Sequence, residues 1–341
     1  MANRYSAQLS LKEIGTLGQQ RIRNSSVLCI GAGGLANACL PALVSAGVGN
    51  ITIIDADEIN LSNLNRQFWF NQEDCGKPKS LLLAKRLQSQ NPDCQITPLI
   101  SRFNIENARD LVTRHDLVID CCDDYPSKLL INYICQQNNR PWIYASVLGW
   151  DGQVAYFNPR YRDTPCLKCW QKSTPLHSGS CNNNGVIGAA VNLVASHQAL
   201  LALQALLGEH SLAHKLWVFD LWQLENQSFL LKKSETCRYH GKEQLANQFG
   251  ISYSEFLEKK DYQLIDIRTN EERERGILPD AKHVSLYSLL SESNLYFNKR
   301  DHLVIYCEEN NLSRLAVANL RESGYFAWWL EGGFAANQIR E

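Results

Sequence analysis

The sequence predicts two α/β domains in series, the larger built on a doubly wound, mostly parallel sheet. Three observations predict it. A short apolar run breaks at glycines and continues with helical period; strand and helix patterns then alternate over two-thirds of the chain; and a polar break near residue 241 precedes a fresh α/β pattern.

Residues 27–30 form the first buried strand. Gly31-Ala32-Gly33-Gly34 interrupts it, helix-period residues run from Leu35 to Ala46, and 51–55 is the second strand. A strand, glycine turn, helix and strand in that order open a doubly wound sheet. The alternation goes on through helices near 79–89, 106–115 and 127–137 and strands at 95–100, 116–121, 142–147 and 153–157. A long apolar helix spans 185–208, and strands at 216–219 and 228–231 close the domain. Residues 1–240 are thus one domain, 241–251 a polar linker and 252–341 a smaller second domain. The latter has strands at 262–267, 303–307 and 326–330, and a helix at 313–323.

Composition excludes some functions. Thirty-four Lys and Arg oppose 35 Asp and Glu, so the charge of -1 offers nothing to nucleic acid or an anionic membrane. Met1 to Ser10 lacks the apolar core of a signal peptide, and twelve scattered cysteines read as reduced thiols of a cytoplasmic protein. Asn192, His197, Gln198 and Gln204 interrupt the apolar stretch 186–207, which therefore reads as a buried helix instead of a membrane span. His197, Cys121, Cys122 and the Trp328-Trp329 pair read as packing residues.

Gly31-x-Gly33-x-x-Ala36 with Asp55 fits a dinucleotide fingerprint, in which glycines admit phosphates to a helix N-terminus and the acid bonds a ribose. NAD, FAD and ATP sites share it, so a dehydrogenase is the first rival. Downstream residues separate them. Asn60-Leu61-Ser62-Asn63-Leu64-Asn65-Arg66-Gln67 is a polar loop with one cation. Lys77 and Lys79 then stand at a helix start, where the dipole disfavours cations and a bound anion would explain them. The strand 116–121 ends in Asp120-Cys121-Cys122-Asp123-Asp124, a carboxylate cluster suited to Mg²⁺-assisted phosphoryl chemistry and useless to hydride transfer.

These motifs resemble the MoeB/ThiF family, bacterial relatives of ubiquitin-activating enzymes, over about residues 4–240. The Ser62-Asn63-Leu64-x-Arg66-Gln67 element is the most specific part. The resemblance implies a Rossmann-like fold and an ATP site formed by Gly31, Gly33, Gly34, Asp55, Asn63, Arg66, Gln67, Lys79 and Asp123. In it Asp55 holds the ribose, Asn63, Arg66 and Lys79 contact phosphates, and Asp123 positions Mg²⁺. It further implies a homodimer that adenylates the C-terminal Gly-Gly carboxylate of a ubiquitin-like sulfur-carrier protein, in molybdopterin or thiamine biosynthesis. One position departs: the family begins Arg-Tyr-x-Arg-Gln, its second arginine reaching the partner subunit's phosphates, whereas this chain reads Arg4-Tyr5-Ser6-Ala7-Gln8. Arg4, Arg21 and Arg23 are the candidate replacements.

Cys166-Leu167-Lys168-Cys169 is a zinc half-site, and Cys237-Arg238-Tyr239-His240 stands where the family places the second pair. Cys166, Cys169, Cys237 and His240 make a normal structural Zn²⁺ set. Cys181, in a polar stretch before the long helix, is the family's crossover-loop cysteine by resemblance. Covalent capture of the carrier and dispensability are both open for it.

The second domain, with Leu264-Ile265-Asp266-Ile267-Arg268, Cys307 after a strand, and Glu331-Gly332-Gly333-Phe334, resembles a rhodanese domain. There Cys307 would carry sulfane sulfur as a persulfide, handed to the acyl-adenylate to give a thiocarboxylate. Glu308 and Glu309 disfavour a thiolate and repel anionic donors, which turns the expectation toward a protein persulfide donor. Two further rivals remain: a conjugating enzyme with a Cys181 thioester, and a non-catalytic scaffold, favoured by Ala7 and the two glutamates.

Overall fold

Val27 to Ile30 has no polar side to turn to water, so the strand it forms must be covered on both faces, and it lies at the centre of a sheet. A computed structural model describes residues 4–161, 164–171, 185–213, 215–234, 237, 249–291, 293–308 and 311–337, in two compact units dividing at Gly241 and Lys242.

The first unit carries strands β1 (Ser26–Ile30), β2 (Asn50–Ile54), β3 (Gln95–Leu99), β4 (Leu117–Asp120), β5 (Trp142–Leu148), β6 (Asp151–Phe157), β7 (Lys215–Asp220) and β8 (Glu225–Leu230). Its helices are α1 (Ser6–Leu9), α2 (Gly15–Arg23), α3 (Gly34–Ala46), α4 (Lys79–Gln90), α5 (Ile105–Thr113), α6 (Tyr125–Gln137), α7 (Leu167–Gln171) and α8 (Gly188–Leu207). The strand order is β3-β2-β1-β4-β5-β6-β7-β8, parallel through β5 and antiparallel beyond. The chain winds outward from β1 to β3 and returns to β4 on the other side. The crevice between β1 and β4 is therefore the switch point at which open α/β sheets bind ligands.

The apolar stretch is α8, whose Val191, Val194, Ala195, Ala199 and Ala202 join the core under the sheet. His197 lies half-buried, 5.0 Å from the Trp217 ring and 5.2 Å from Phe219, as a packing residue does.

The second unit has a parallel five-stranded sheet, order β11-β10-β12-β13-β9. Its strands are β9 (Gly250–Ile251), β10 (Tyr262–Asp266), β11 (Lys282–His283), β12 (His302–Tyr306) and β13 (Phe326–Leu330). Its helices are α9 (Tyr253–Leu257), α10 (Asn270–Arg273), α11 (Leu286–Ser291), α12 (Ser293–Tyr296), α13 (Asn311–Glu322) and α14 (Gly333–Asn337). Gly250 and Ile251, at the end of the stretch read as linker, form an edge strand beside Trp329 and Leu330. Two-residue strands such as β9 and β11 carry too little periodicity to be read from sequence. Trp329 is buried and Trp328 stacks on Tyr262, so this pair packs.

Candidate nucleotide, thiol and sulfur sites

The glycine turn leaves β1 at the carboxyl edge. Gly31 has φ +96°, and a Cβ there would lie 2.7 Å from the Cys121 carbonyl oxygen beyond β4, so only glycine fits. Gly33 caps α3, whose first N–H groups face the crevice. Asp55, just past β2, accepts from the Ala32 N–H at 2.6 Å and from the Asp57 N–H at 2.7 Å. Burial pushes its carboxyl up from the ordinary range, against the pull of those two N–H groups. Asp55 is thus held at the turn before any ligand arrives.

Residues 61–63 form a 3₁₀ turn capped by Asn60. The Asn63 Oδ1 accepts the Asn60 N–H at 3.2 Å. Arg66 donates to the Ser62 carbonyl at 3.0 Å and the Asn65 Oδ1 at 2.9 Å, and no carboxylate pairs with it among the described residues. Gln67 is 3% exposed, and its Oε1 has no donor among the described residues, a buried acceptor that a ligand hydroxyl or amino group would satisfy. A Cβ on Gly188 would lie 2.5 Å from the Asn65 carbonyl, so the start of α8 braces this loop.

Two expectations change once the chain is folded. The lysines opening α4 already have protein counter-ions: Lys77 lies 3.3 Å from Asp74, and Lys79 lies 2.9 Å from Asp57. An anionic ligand is not required to explain them. The carboxylate cluster also separates by role. Asp120 is fully buried against Lys128 at 2.9 Å, and Asp124 caps α6 through the Ser127 N–H at 2.8 Å. Asp123 alone is exposed with its carboxylate free of protein partners among the described residues.

Lys128 and Gln198 were not legible as site residues. The Lys128 ammonium also donates to the carbonyls of Cys122 and Ala145, at 2.8 and 2.7 Å. Burial alone would lower it, and Asp120 more than offsets that and holds it above its ordinary value. Gln198 of α8 donates to the Asp120 carbonyl at 2.7 Å. Together they fix the turn that carries Asp123. The only clue was a lysine directly before an apolar Leu129-Leu130-Ile131 run.

Cys166, Cys169 and Cys237 converge as a buried trio, with Sγ–Sγ separations of 3.8 Å (166–169) and 3.6 Å (166–237). A tetrahedron with Zn–S bonds of about 2.3 Å has edges of about 3.8 Å, so the thiols fit that ion. His240 and Cys181 lie outside the described residues; α8 begins only at Gly188. Ala7 is exposed on α1. Arg4 donates to the Gln90 carbonyl and Arg21 to the Leu207 carbonyl, so both are engaged within their own chain.

In the second unit Cys307 follows β12, buried, and accepts from the Ser313 N–H at 3.4 Å, with the Ser313 hydroxyl 3.5 Å away. Glu308 corrects a third expectation. Its carboxylate turns onto Arg268 at 3.3 Å and Arg275 at 3.7 Å, so its charge is balanced by protein. Glu309 lies outside the described residues.

Residues 5–239 match the ThiF family, and residues 252–338 match the rhodanese-like domain. The sulfur carrier protein ThiS adenylyltransferase of Escherichia coli (strain K12) is 37% identical, over 69% of this chain and 93% of that one. The adenylyltransferase and sulfurtransferase MOCS3 of Drosophila sechellia is 30% identical over 93% of this chain and 78% of that protein. Among solved structures, Escherichia coli MccB with ATP superposes with a TM-score of 0.61 at 23% identity, covering 71% of this chain and 74% of that one, a likeness of fold.

Proposed function

Because this chain belongs to the ThiF family and carries a C-terminal rhodanese-like domain, we propose that it adenylates the terminal carboxylate of a ubiquitin-like sulfur-carrier protein and then delivers sulfur to it. The observation that carries the first half is the crevice between β1 and β4. It gathers a glycine turn and, among the described residues, an orphaned buried acceptor on Gln67, Arg66 without a counter-ion, and the free carboxylate of Asp123. A hydride-transfer site would have no use for the last two.

ATP fits this crevice, with Asp55 toward the ribose and Asn63, Arg66 and Lys79 toward the phosphates. A carboxylate approaching an α-phosphate brings two anions together, and Arg66 and Lys79 offset that repulsion. Mg²⁺, for which Asp123 is the available ligand, supplies further neutralisation of phosphate charge when bound. The acyl-adenylate and pyrophosphate are the products. A persulfide on Cys307 then attacks the acyl carbon and expels AMP. A thiol reductant then resolves the acyl disulfide, releasing the thiocarboxylate and leaving that thiol disulfide-bonded to Cys307; Cys181 is the candidate for holding the carrier between steps.

Zn²⁺ in the Cys166, Cys169 and Cys237 trio, with His240 as fourth ligand, would be structural, since four protein ligands leave no open position. Trp222 packs edge-on against Trp150 at the sheet's carboxyl edge, 68% and 44% exposed, with Leu224 beside it in the β7–β8 turn. That apolar group suits the body of a carrier. Residues 189, 193, 196, 200 and 204 of α8 form an exposed, mostly apolar stripe opposite its core face, which supports a homodimer.

Carrier-dependent ATP–pyrophosphate exchange, followed by mass spectrometry for replacement of one oxygen by sulfur, tests the whole sequence. Absence of exchange with every Gly-Gly-ended carrier of the source organism would sink the proposal.

A further inference from the structure

Glu308 follows the sulfur-bearing cysteine directly, yet it cannot swing freely. The N-terminus of α14 pins both peptides: Phe334 N–H donates to the Cys307 carbonyl at 2.9 Å and Ala335 N–H to the Glu308 carbonyl at 3.0 Å. A Cβ on Gly333 would lie 2.7 Å from each of those oxygens, so the contact is as close as glycine permits. The carboxylate is left facing Arg268 and Arg275. Arg268 is 2% exposed and bonds both oxygens of Asp266 and the carbonyls of Glu272 and Gly276. It cannot turn toward a ligand. Arg275 is 60% exposed and can, once released. Arg314, in the first turns of α13, lies over the Trp329 ring.

We propose that Glu308 selects the sulfur donor: by holding Arg268 and Arg275 it denies a free guanidinium to a dianionic donor such as thiosulfate, and sulfur arrives from a persulfide, R–S–SH. The inference rests on the sulfur-transfer reading of Cys307. The Cys307 thiolate attacks the outer sulfur, the donor's S–S bond breaks, and R–S⁻ leaves with the electron pair, giving Cys307–S–SH. No oxidant or reductant is needed. With thiosulfate the leaving group would be the sulfite dianion, and the nearby guanidinium groups are engaged: Arg268 and Arg275 by Glu308, and Arg314 over the Trp329 ring.

The test loads the full-length chain from thiosulfate, glutathione persulfide or a desulfurase-bound protein persulfide, and reads one added sulfur by mass, with Cys307→Ala as control. The wild-type protein should load from at least one persulfide about 100-fold faster than from thiosulfate, within the range of electrostatic steering. The two persulfide arms separate a small-molecule source from a protein one. Glu308→Gln should narrow that preference roughly tenfold through faster thiosulfate loading, and Arg275→Ala added to it should reverse the gain. Equal wild-type rates from thiosulfate and persulfide overturn the inference, as does a folded Glu308→Gln protein with an unchanged ratio. Should that variant not fold, the wild-type ratio decides. If nothing loads wild-type Cys307, the sulfur-transfer reading itself fails, which is a different result from loading without selectivity.

Discussion

Lys79, at the start of α4, is already paired, its ammonium 2.9 Å from the Asp57 carboxylate, with the lysine side chain 9% exposed and the aspartate 64%. In the proposed ATP site a phosphate must share or displace that partner. Lys79→Met should lower kcat/KM for ATP in pyrophosphate exchange by about 10²–10³-fold, the cost of losing one preorganised charge at a reacting phosphate. Asp57→Asn should change it less than about tenfold, because an exposed ion pair is weak. Equal losses in the two variants would show that Lys79 serves Asp57 and not the nucleotide.

Two neighbouring carboxylates should respond differently to truncation. Asp123→Ala should raise the Mg²⁺ concentration needed for half-maximal exchange at least about tenfold, with little change in Tm, as expected for an exposed ligand. Asp124→Ala should cost about 1 kcal/mol of stability through the lost cap while leaving the Mg²⁺ dependence near that of the unchanged protein. A Mg²⁺ titration beside a denaturant melt separates them.

The thiol trio predicts one zinc per chain by elemental analysis. Cys166→Ser or Cys237→Ser should remove it and lower the melting temperature by several degrees, since binding energy at a structural site is folding energy. A protein free of metal and equally stable would leave the trio a cluster of packed thiols.

His115 offers a pH test. Its Nδ1 lies 2.6 Å from the Leu111 carbonyl and its Nε2 2.8 Å from the Thr52 hydroxyl, and burial holds its pKa below the ordinary 6.5. The unfolded chain therefore binds the proton first. This contribution to stability is full above pH 6.5 and is lost as pH falls through the lowered value. Chemical melts from pH 7.5 downward should show that loss, and His115→Gln should flatten the slope. A steeper slope in the variant would contradict the assignment.

Leu200 is 59% exposed on the outer stripe of α8. Leu200→Asp should yield a monomer by light scattering while leaving the core-facing Val191, Val194 and Ala199 undisturbed. A wild-type monomer would remove the dimer from the proposal.

Much of the fold was legible because long, strongly periodic segments announce themselves. The glycine break after residue 30, the helical period to Ala46 and the run 51–55 place the first βαβ unit within a residue of its observed bounds. The short edge strands β9 and β11 were not legible, since pairing with a neighbour and not local pattern makes them strands. The Arg66-Gln67 loop could be named from its residue types, but nothing in the sequence told that Gln67 would be buried with an unpaired oxygen.

What the sequence determined by itself is chemical identity: which groups can neutralise phosphate, ligate zinc or carry sulfur, and in what spacing. Tertiary structure decided which of them are free to do so. Lys77, Lys79, Asp120 and Glu308 look equally available when read along the chain, yet each has an opposite charge brought to it by folding. Among the described residues, Arg66 and Asp123 do not. The reason is that an ion pair depends on distance in space, and Asp57 is 22 residues from Lys79 while Glu308 is 40 from Arg268.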